Sequence, residues 1–244
     1  MVLQGRVALI TGGARRIGHV VAMALASRGA QVVISYQRSS KAAIETVGAL
    51  RDLGVKAEAM SADVSSASDV TRLFQRIERN FGRLDVLVNN ASIFERTPFE
   101  KLTEKDWDRH LDINLKGAFL CAVAAGRLLR RRAQGKIINI ADWAGDRPYR
   151  DYLPYCVSKA GLITLTKALA KELAPKIQVV SIAPGPMLPP EGMTTAERRA
   201  AIARLPLKRW GSPEDVANAV LFAIEGSDFI TGTTIYVDGG RSIA

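Results

Sequence analysis

Histidine and cysteine are scarce in this chain of 244 residues: His19, His110, Cys121 and Cys156 are the only ones. A zinc site needs such residues clustered at short spacings, and these four offer none. Two cysteines make no disulfide framework either, so both are expected as reduced thiols. No apolar run approaches membrane-spanning length, and the basic pair Arg15-Arg16 follows the first apolar stretch rather than opening a signal peptide. A cytoplasmic location is the expectation. Linkers rich in Gly, Ser or Pro are missing, as are repeats and low-complexity tracts, which leaves one domain rather than two. Acidic residues are outnumbered, 24 against 34 Lys and Arg, for a formal charge of +10. The densest basic stretch, residues 127–136, lacks interleaved aromatics and closes a helix before Gly135, so nucleic acid is not an expected partner. An anionic cofactor accounts for part of the remaining charge.

What the chain does have is a steady alternation. Residues 7–10, 31–36, 55–60, 84–88, 136–141, 177–182 and 234–237 are short apolar runs that read as strands. Between them lies helical spacing: Ile17, Val20, Val21, Ala24 and Leu25; Ala42, Ile44, Val47 and Leu50; Val70, Leu73, Phe74 and Ile77. A further helix begins at Thr103 and Asp106, with Trp107, His110 and Leu111 on a common side, and a long one reaches about Arg132. Residues 152–173, 194–205 and 213–224 complete the helices. This rhythm predicts an α/β, doubly wound domain whose mostly parallel seven-stranded sheet is covered on both faces. Ligands of such sheets bind beyond the carboxyl ends of the strands, here Thr11, Tyr36, Asp63, Asn89, Ala141 and Ala183.

The first of those ends carries the strongest local signal. Val7 to Gly18 reads VALITGGARRIG, a strand, a glycine turn and a helix start. Backbone N–H groups and the helix dipole converge there on a point suited to phosphate. Gly12 and Gly18 are present, but Arg16 stands where a middle glycine often sits. Taken alone, the turn is a weak signal that a plain structural connection also explains. The second strand ends Ser-Tyr-Gln-Arg-Ser-Ser (residues 35–40) without the carboxylate that NAD usually meets. Arg38 with Tyr36 and Ser39, joined by Arg16 from the turn, suits a 2′-phosphate, which makes NADP(H) the expected cofactor. Tyr155 and Lys159, four apart, share one helix face, where an ammonium lowers the phenol pKa and readies it as a proton donor.

Thr11-Gly12 through Gly18, Asp63-Val64, Asn89-Asn90-Ala91, Asn114, Tyr155-x-x-x-Lys159, Pro184-Gly185 and Val237-Asp238-Gly239-Gly240 together resemble the classical short-chain dehydrogenase/reductase family, over essentially the whole chain. The resemblance implies one Rossmann-type domain over residues 1–244, with a cofactor half to about 140 and a catalytic and substrate half from about 141. It also implies a nicotinamide cofactor, a small-molecule substrate and a homotetramer. By the family pattern Asp63 and Val64 hold the adenine. Ile17, Asn90, Ala91, Pro184 and Gly185 border the cofactor. Tyr155 is the acid, Lys159 binds the nicotinamide ribose and lowers the Tyr pKa, and Asn114 supports a water in the proton relay.

Three departures narrow the resemblance. Asp142 takes the place of a serine usually found thirteen residues before the tyrosine, Arg16 replaces a glycine, and the second strand ends without an acid. All three resemble the pteridine reductase branch, which implies a pterin lying between Phe94 and the nicotinamide. A carboxyl at 142 can accept from an amino-pyrimidine or pass a proton to a ring nitrogen. It also raises the Tyr155 pKa, so Lys159 must offset it. Plainer readings stand beside these: Asp142 as a turn residue, Phe94 as ordinary loop packing, and Trp143, Tyr149, Tyr152 and Met187 as pocket lining, core or interface. His19 and His110 are expected to be structural. Residues 184–190 begin a substrate loop in this family, here without the threonine common after Pro-Gly.

The expectation is therefore an NADPH-dependent reductase of a dihydropterin or dihydrofolate, with Tyr155 and Asp142 as proton source. The alternative is a carbonyl reductase acting on a 3-oxoacyl thioester or keto sugar. A non-catalytic NADP-binding sensor is the rival of another class, and the intact Asn114, Tyr155 and Lys159 set opposes it.

Overall fold

Runs of Val, Ile, Leu and Ala that are apolar on both faces belong inside a parallel sheet. The computed structural model, which describes residues 1–131, 134–187 and 192–244, places them there. The strands are β1 Val7–Ile10, β2 Gln31–Tyr36, β3 Ala57–Ser61, β4 Val86–Asn89, β5 Gly135–Ile140, β6 Ile177–Pro184 and β7 Thr234–Val237. They form a seven-stranded sheet in the order β3-β2-β1-β4-β5-β6-β7. Every pairing is parallel. Helices α1 Arg16–Ala26, α2 Ser40–Asp52, α3 Ala67–Phe81, α4 Glu104–Leu111, α5 Gly117–Leu129, α6 Leu153–Leu173, α7 Thr195–Ala203 and α8 Pro213–Leu221 connect or follow the strands.

Alternation along the strands divides the interior into two cores. Ala8, Ile10, Val32, Ile34, Val86 and Val88 meet Val21 and Leu25 of α1, Val47 and Leu50 of α2 and Val216 and Val220 of α8. Val7, Leu9, Val33 and Leu87 face the opposite way, toward Val70, Leu73, Phe74 and Ile77 of α3 and the apolar faces of α5 and α6. Each such side chain contributes about 1.5–3 kcal/mol on burial. The strand order turns back between β1 and β4, and a crevice opens at their carboxyl ends.

The departures from expectation are local. Ile44 is 70% exposed although it shares the helical spacing of α2, because the packed face is carried by Ala43, Thr46, Val47 and Leu50. Trp107 is 38% exposed while its neighbour one turn on, His110, is fully buried. The third strand begins at Ala57, where its pairing with Val32 starts. The helical stretch after α4 contains a wide π-type turn, Asp112–Lys116, and α5 ends at Leu129. Arg132, its expected limit, lies outside the described residues, as does the expected substrate-loop stretch 188–190. His19 bonds Thr46 at 2.9 Å and His110 bonds the Asp106 carbonyl at 2.8 Å, both structural contacts. Burial pushes the Cys121 thiol up to about 12, which leaves it unreactive.

Candidate active site

The glycine turn is made by close approach. Asn90 Nδ2 donates to the Thr11 and Gly12 carbonyls at 2.9 and 3.1 Å, and the N–H groups of Asn90 and Ala91 donate to Thr11 Oγ1 at 3.0 Å each. A Cβ on Gly18 would fall 2.5 Å from the Gly12 carbonyl oxygen and 2.6 Å from Asn90 Nδ2, so only glycine lets α1 begin here. Gly12 itself has φ +63°. No side chain caps α1, which leaves its first N–H groups for an anion.

Two clefts open from this turn, and Gly12 and Arg15 border both. The first, of about 460 Å³, is lined by Arg15, Tyr36, Arg38, Ser39, Asp63 and Ile113, with Gln37 and Arg109 at its edge. Asp63 is held there by Gln37 Nε2 at 2.6 Å and by the Ser65 N–H and hydroxyl at 2.9 and 2.6 Å. Val64 is buried and packs against Gly117 instead of lining the cleft. The second cleft, of about 580 Å³, is lined by Arg16, Ile17, Asn90, Ala91, Phe94, Asp142, Tyr149, Tyr152, Tyr155, Lys159, Pro184, Gly185 and Met187, among others.

Arg16 lines the second cleft and not the first. Its φ of +51° turns the chain so that Arg15 borders the cleft of Arg38 while Arg16 joins only that of Tyr155. Arg15 is the residue that sequence reasoning missed. Among the described residues, no ion pair involves Arg15, Arg16 or Arg38. Three uncompensated guanidinium groups, an uncapped helix start and a glycine cradle fit a dinucleotide with an extra phosphate.

The second cleft holds the titratable groups. Tyr155 and Lys159 lie on the buried face of α6, 5% and 3% exposed. Tyr155 donates its hydroxyl proton to Asp142 Oδ2 at 2.7 Å. Asp142 lies two residues beyond β5, and its Oδ1 accepts from the Ala144 N–H at 2.8 Å. Lys159 Nζ donates to the Ile140 carbonyl at 2.8 Å and sits 5.7 Å from the Tyr155 ring centre. Burial raises the Asp142 carboxyl above the ordinary carboxylate range, against the lowering effect of its hydrogen bonds and of Lys159. Burial also lowers Lys159 to about 8. Tyr155 is pushed well above its ordinary value, first by burial and then by Asp142. Burial and the Asp142 carboxylate thus hold Tyr155 up, while one Lys159 N–H donates to the Ile140 carbonyl.

Asn114 occupies the wide turn before α5, where its Oδ1 accepts from the Ile93 N–H at 2.9 Å. Its Nδ2 donates to the Ile93 carbonyl at 3.1 Å and Ser158 Oγ at 3.0 Å, which ties the loop carrying Phe94 to α6. Phe94 is 56% exposed and stacks on Tyr152, ring centres 4.4 Å apart and nearly parallel, with its edge relation to Tyr155 at 4.7 Å. Trp143 does not line the cleft; it is 5% exposed, under Tyr149 and beneath the Arg241 guanidinium. Pro186, from the expected substrate-loop stretch, lines the cleft, as do Met193 and Trp210, which the sequence does not mark. Met193 and Trp210 come from segments far along the chain, with no motif to mark them.

Residues 12–242 match the family model described as Enoyl-(Acyl carrier protein) reductase. The chain belongs to the classical short-chain dehydrogenase/reductase family. It shares 38% identity over 241 residues with a 3-oxoacyl-[acyl-carrier-protein] reductase of Synechocystis, covering 98% of this chain and 97% of that one. Among solved structures, one described as a putative gluconate dehydrogenase from Agrobacterium tumefaciens superposes with a TM-score of 0.94 at 36% identity, covering 99% and 98% of the two chains. An NAD+-bound xylitol dehydrogenase superposes with a TM-score of 0.91 at 29% identity, covering 98% and 100%. As a short-chain dehydrogenase/reductase the protein is an NAD(P)-dependent oxidoreductase acting on a small molecule. Among the described residues no helix is long and apolar enough to cross a membrane.

Proposed function

We propose that the protein is an NADPH-dependent reductase of a pterin-class substrate, of the pteridine reductase kind. One observation carries this reading: where a carbonyl reductase of this family has a serine hydroxyl, a carboxyl accepts the proton of Tyr155 at 2.7 Å. A hydroxyl suits a carbonyl oxygen, whereas a carboxyl can pair with an amino-pyrimidine edge or deliver a proton to ring nitrogen. Phe94, exposed in the same cleft, supplies an aromatic face for a flat heterocycle.

Arg15, Arg38 and Ser39 hold the 2′-phosphate in this reading, the start of α1 holds the pyrophosphate, and Asp63 borders the adenine. Lys159 holds the ribose next to the nicotinamide, with Asn90, Pro184 and Gly185 along the same wall. Bound NADPH supplies the hydride. Tyr155 and Asp142 hold the proton for the substrate, and the raised carboxyl pKa keeps that proton available closer to neutrality. Asn114 steadies the Phe94 loop through Ile93.

Reduction of a carbonyl is the second reading, and the comparisons back it better than they back a pterin. The printed name of the Synechocystis relative is that of a 3-oxoacyl thioester reductase. The xylitol dehydrogenase keeps NAD in play as the cofactor, against which stand the uncompensated Arg15 and Arg38. Steady-state NADPH oxidation with dihydrobiopterin and with an acetoacetyl thioester separates the two readings. Turnover of the thioester alone defeats the pterin assignment, and pterin turnover undiminished in Asp142→Ser defeats the role given to Asp142. Exposed Phe119 and Val123 on α5 and Leu153 and Val157 on α6 support assembly into a homotetramer, which light scattering checks.

A further inference from the structure

We propose that Tyr149 is a positioning residue whose phenol clamps the Asp142 carboxyl in place against Tyr155. The inference rests on the pairing of Asp142 with Tyr155 described above. Asp142 uses its two oxygens differently: Oδ2 takes the Tyr155 hydroxyl, and Oδ1 faces the Ala144 N–H and, 3.5 Å away, the Tyr149 hydroxyl. That last distance is long for a hydrogen bond between oxygens. Contacts of this kind tighten when a ligand closes the cleft.

The ring of Tyr149 leaves its hydroxyl little choice of direction. It stands edge-on to Trp143, ring centres 5.1 Å apart, and to Tyr152 at 5.9 Å, and its N–H donates to Cys156 Sγ at 3.3 Å. It forms the wall between the catalytic cleft and a second cavity of about 630 Å³ beside the start of α6. Packing that wall requires only an aromatic ring, so the oxygen calls for a separate explanation. Burial and the neighbouring carboxylate hold the phenol far above its ordinary pKa, so it stays protonated and acts as a donor. Asp142 is its only hydrogen-bond acceptor among the described residues. The Tyr149 hydroxyl thus adds a side-chain hold to Oδ1 beside that of the Ala144 N–H, opposite the oxygen that takes Tyr155.

The groups facing Asp142 are Tyr155, Cys156 and Lys159 from α6 and Tyr149 from the loop before it. Cys156 is kept as the neutral thiol by burial, and Lys159 favours the carboxylate. A phenol donating to the carboxylate favours the charged form as well, so its removal moves Asp142 titration to higher pH. Tyr149→Phe removes one oxygen and keeps the ring. Carbon-13 NMR of the ligand-free protein, with the Asp142 carboxyl signal identified by its loss in Asp142→Asn, should show the titration moved up by about half a unit to one unit. With whichever substrate is turned over, kcat should fall about tenfold with KM for NADPH unchanged, and the Asp142 limb of the pH profile should move the same way. In the Asp142→Asn background Tyr149→Phe should change nothing further. Tyr149→Leu, which removes the ring too, should show at least the same titration shift. An unmoved Asp142 titration in both variants overturns the inference and leaves Tyr149 a packing residue. Because that titration needs no substrate, its failure is distinct from failure of the pterin assignment, which the substrate panel decides.

Discussion

The two clefts that meet at Gly12 are built in opposite ways. The one beside β2 is made of backbone approach and exposed guanidinium groups: Arg15 and Arg38 have no ion-pair partner among the described residues, and its fixed point is the Asp63 network of turn hydrogen bonds. The one beside α6 is made of titratable side chains drawn away from water: Tyr155 bonds Asp142, Lys159 bonds the Ile140 carbonyl, and all three are displaced from their ordinary pKa values by desolvation first. In the proposed reading one end selects its ligand by charge in water, where salt screens and single substitutions re-tune. The other sets protonation in a place water hardly reaches, where removing one member leaves its partner stranded.

The sharpest test of that contrast is Tyr155→Phe. It should lower kcat by about 10²–10⁴-fold while NADPH binding, followed by fluorescence, stays within a factor of about two. Loss of both would mean that the clefts are not separable. Gly18→Ala attacks the seam between them: its Cβ has no room beside Gly12 and Asn90. It should destabilise the fold by about 1–3 kcal/mol in thermal or urea unfolding and weaken cofactor binding with it. Arg38→Asp should touch the charged end alone. NADPH should bind about 10–100-fold more weakly, with NADH gaining in relative preference and kcat little changed; unaltered cofactor preference would undo the 2′-phosphate assignment.

The smallest effect concerns Lys159. Its folded value of about 8 lies below the ordinary 10.5. Between those values the unfolded chain binds the extra proton, so ligand-free wild type should gain stability as pH rises through that window. The gain should be roughly 1 kcal/mol per pH unit and should be missing in Lys159→Met, as differential melting curves at two alkaline pH values would show.

Legibility followed the same division. Strands β1, β2 and β7 have the limits their apolar runs indicate, and the glycine turn, the acid-free end of β2 and the Tyr155–Lys159 spacing mark the trough, because each signal is local. The side of the turn on which each arginine falls is not local. It depends on the positive φ of Arg16, and so Arg15 went unnoticed as the neighbour of Arg38. Met193 and Trp210 reach the cleft only through tertiary folding. The raising effect of Asp142 on Tyr155 is legible from the sequence, but the larger effect of burial is not, because residue spacing shows which charge is near and not how much water has been excluded. Ile44 shows the converse: an apolar residue at helical spacing still faces solvent when small neighbours suffice for the packed side.

The backbone of Arg16 has a consequence for engineering. A side chain at φ +51° occupies a region that non-glycine residues enter at a penalty of about 1–2 kcal/mol. Glycine would remove most of that penalty, offset in part by its own freedom in the unfolded chain, for a net gain of up to about 1 kcal/mol. It would also delete one of the two arginines, Arg15 and Arg16, that border the Tyr155 cleft. A screen for thermal robustness alone should therefore enrich Arg16→Gly, and the survivors should be sturdier proteins and poorer reductases.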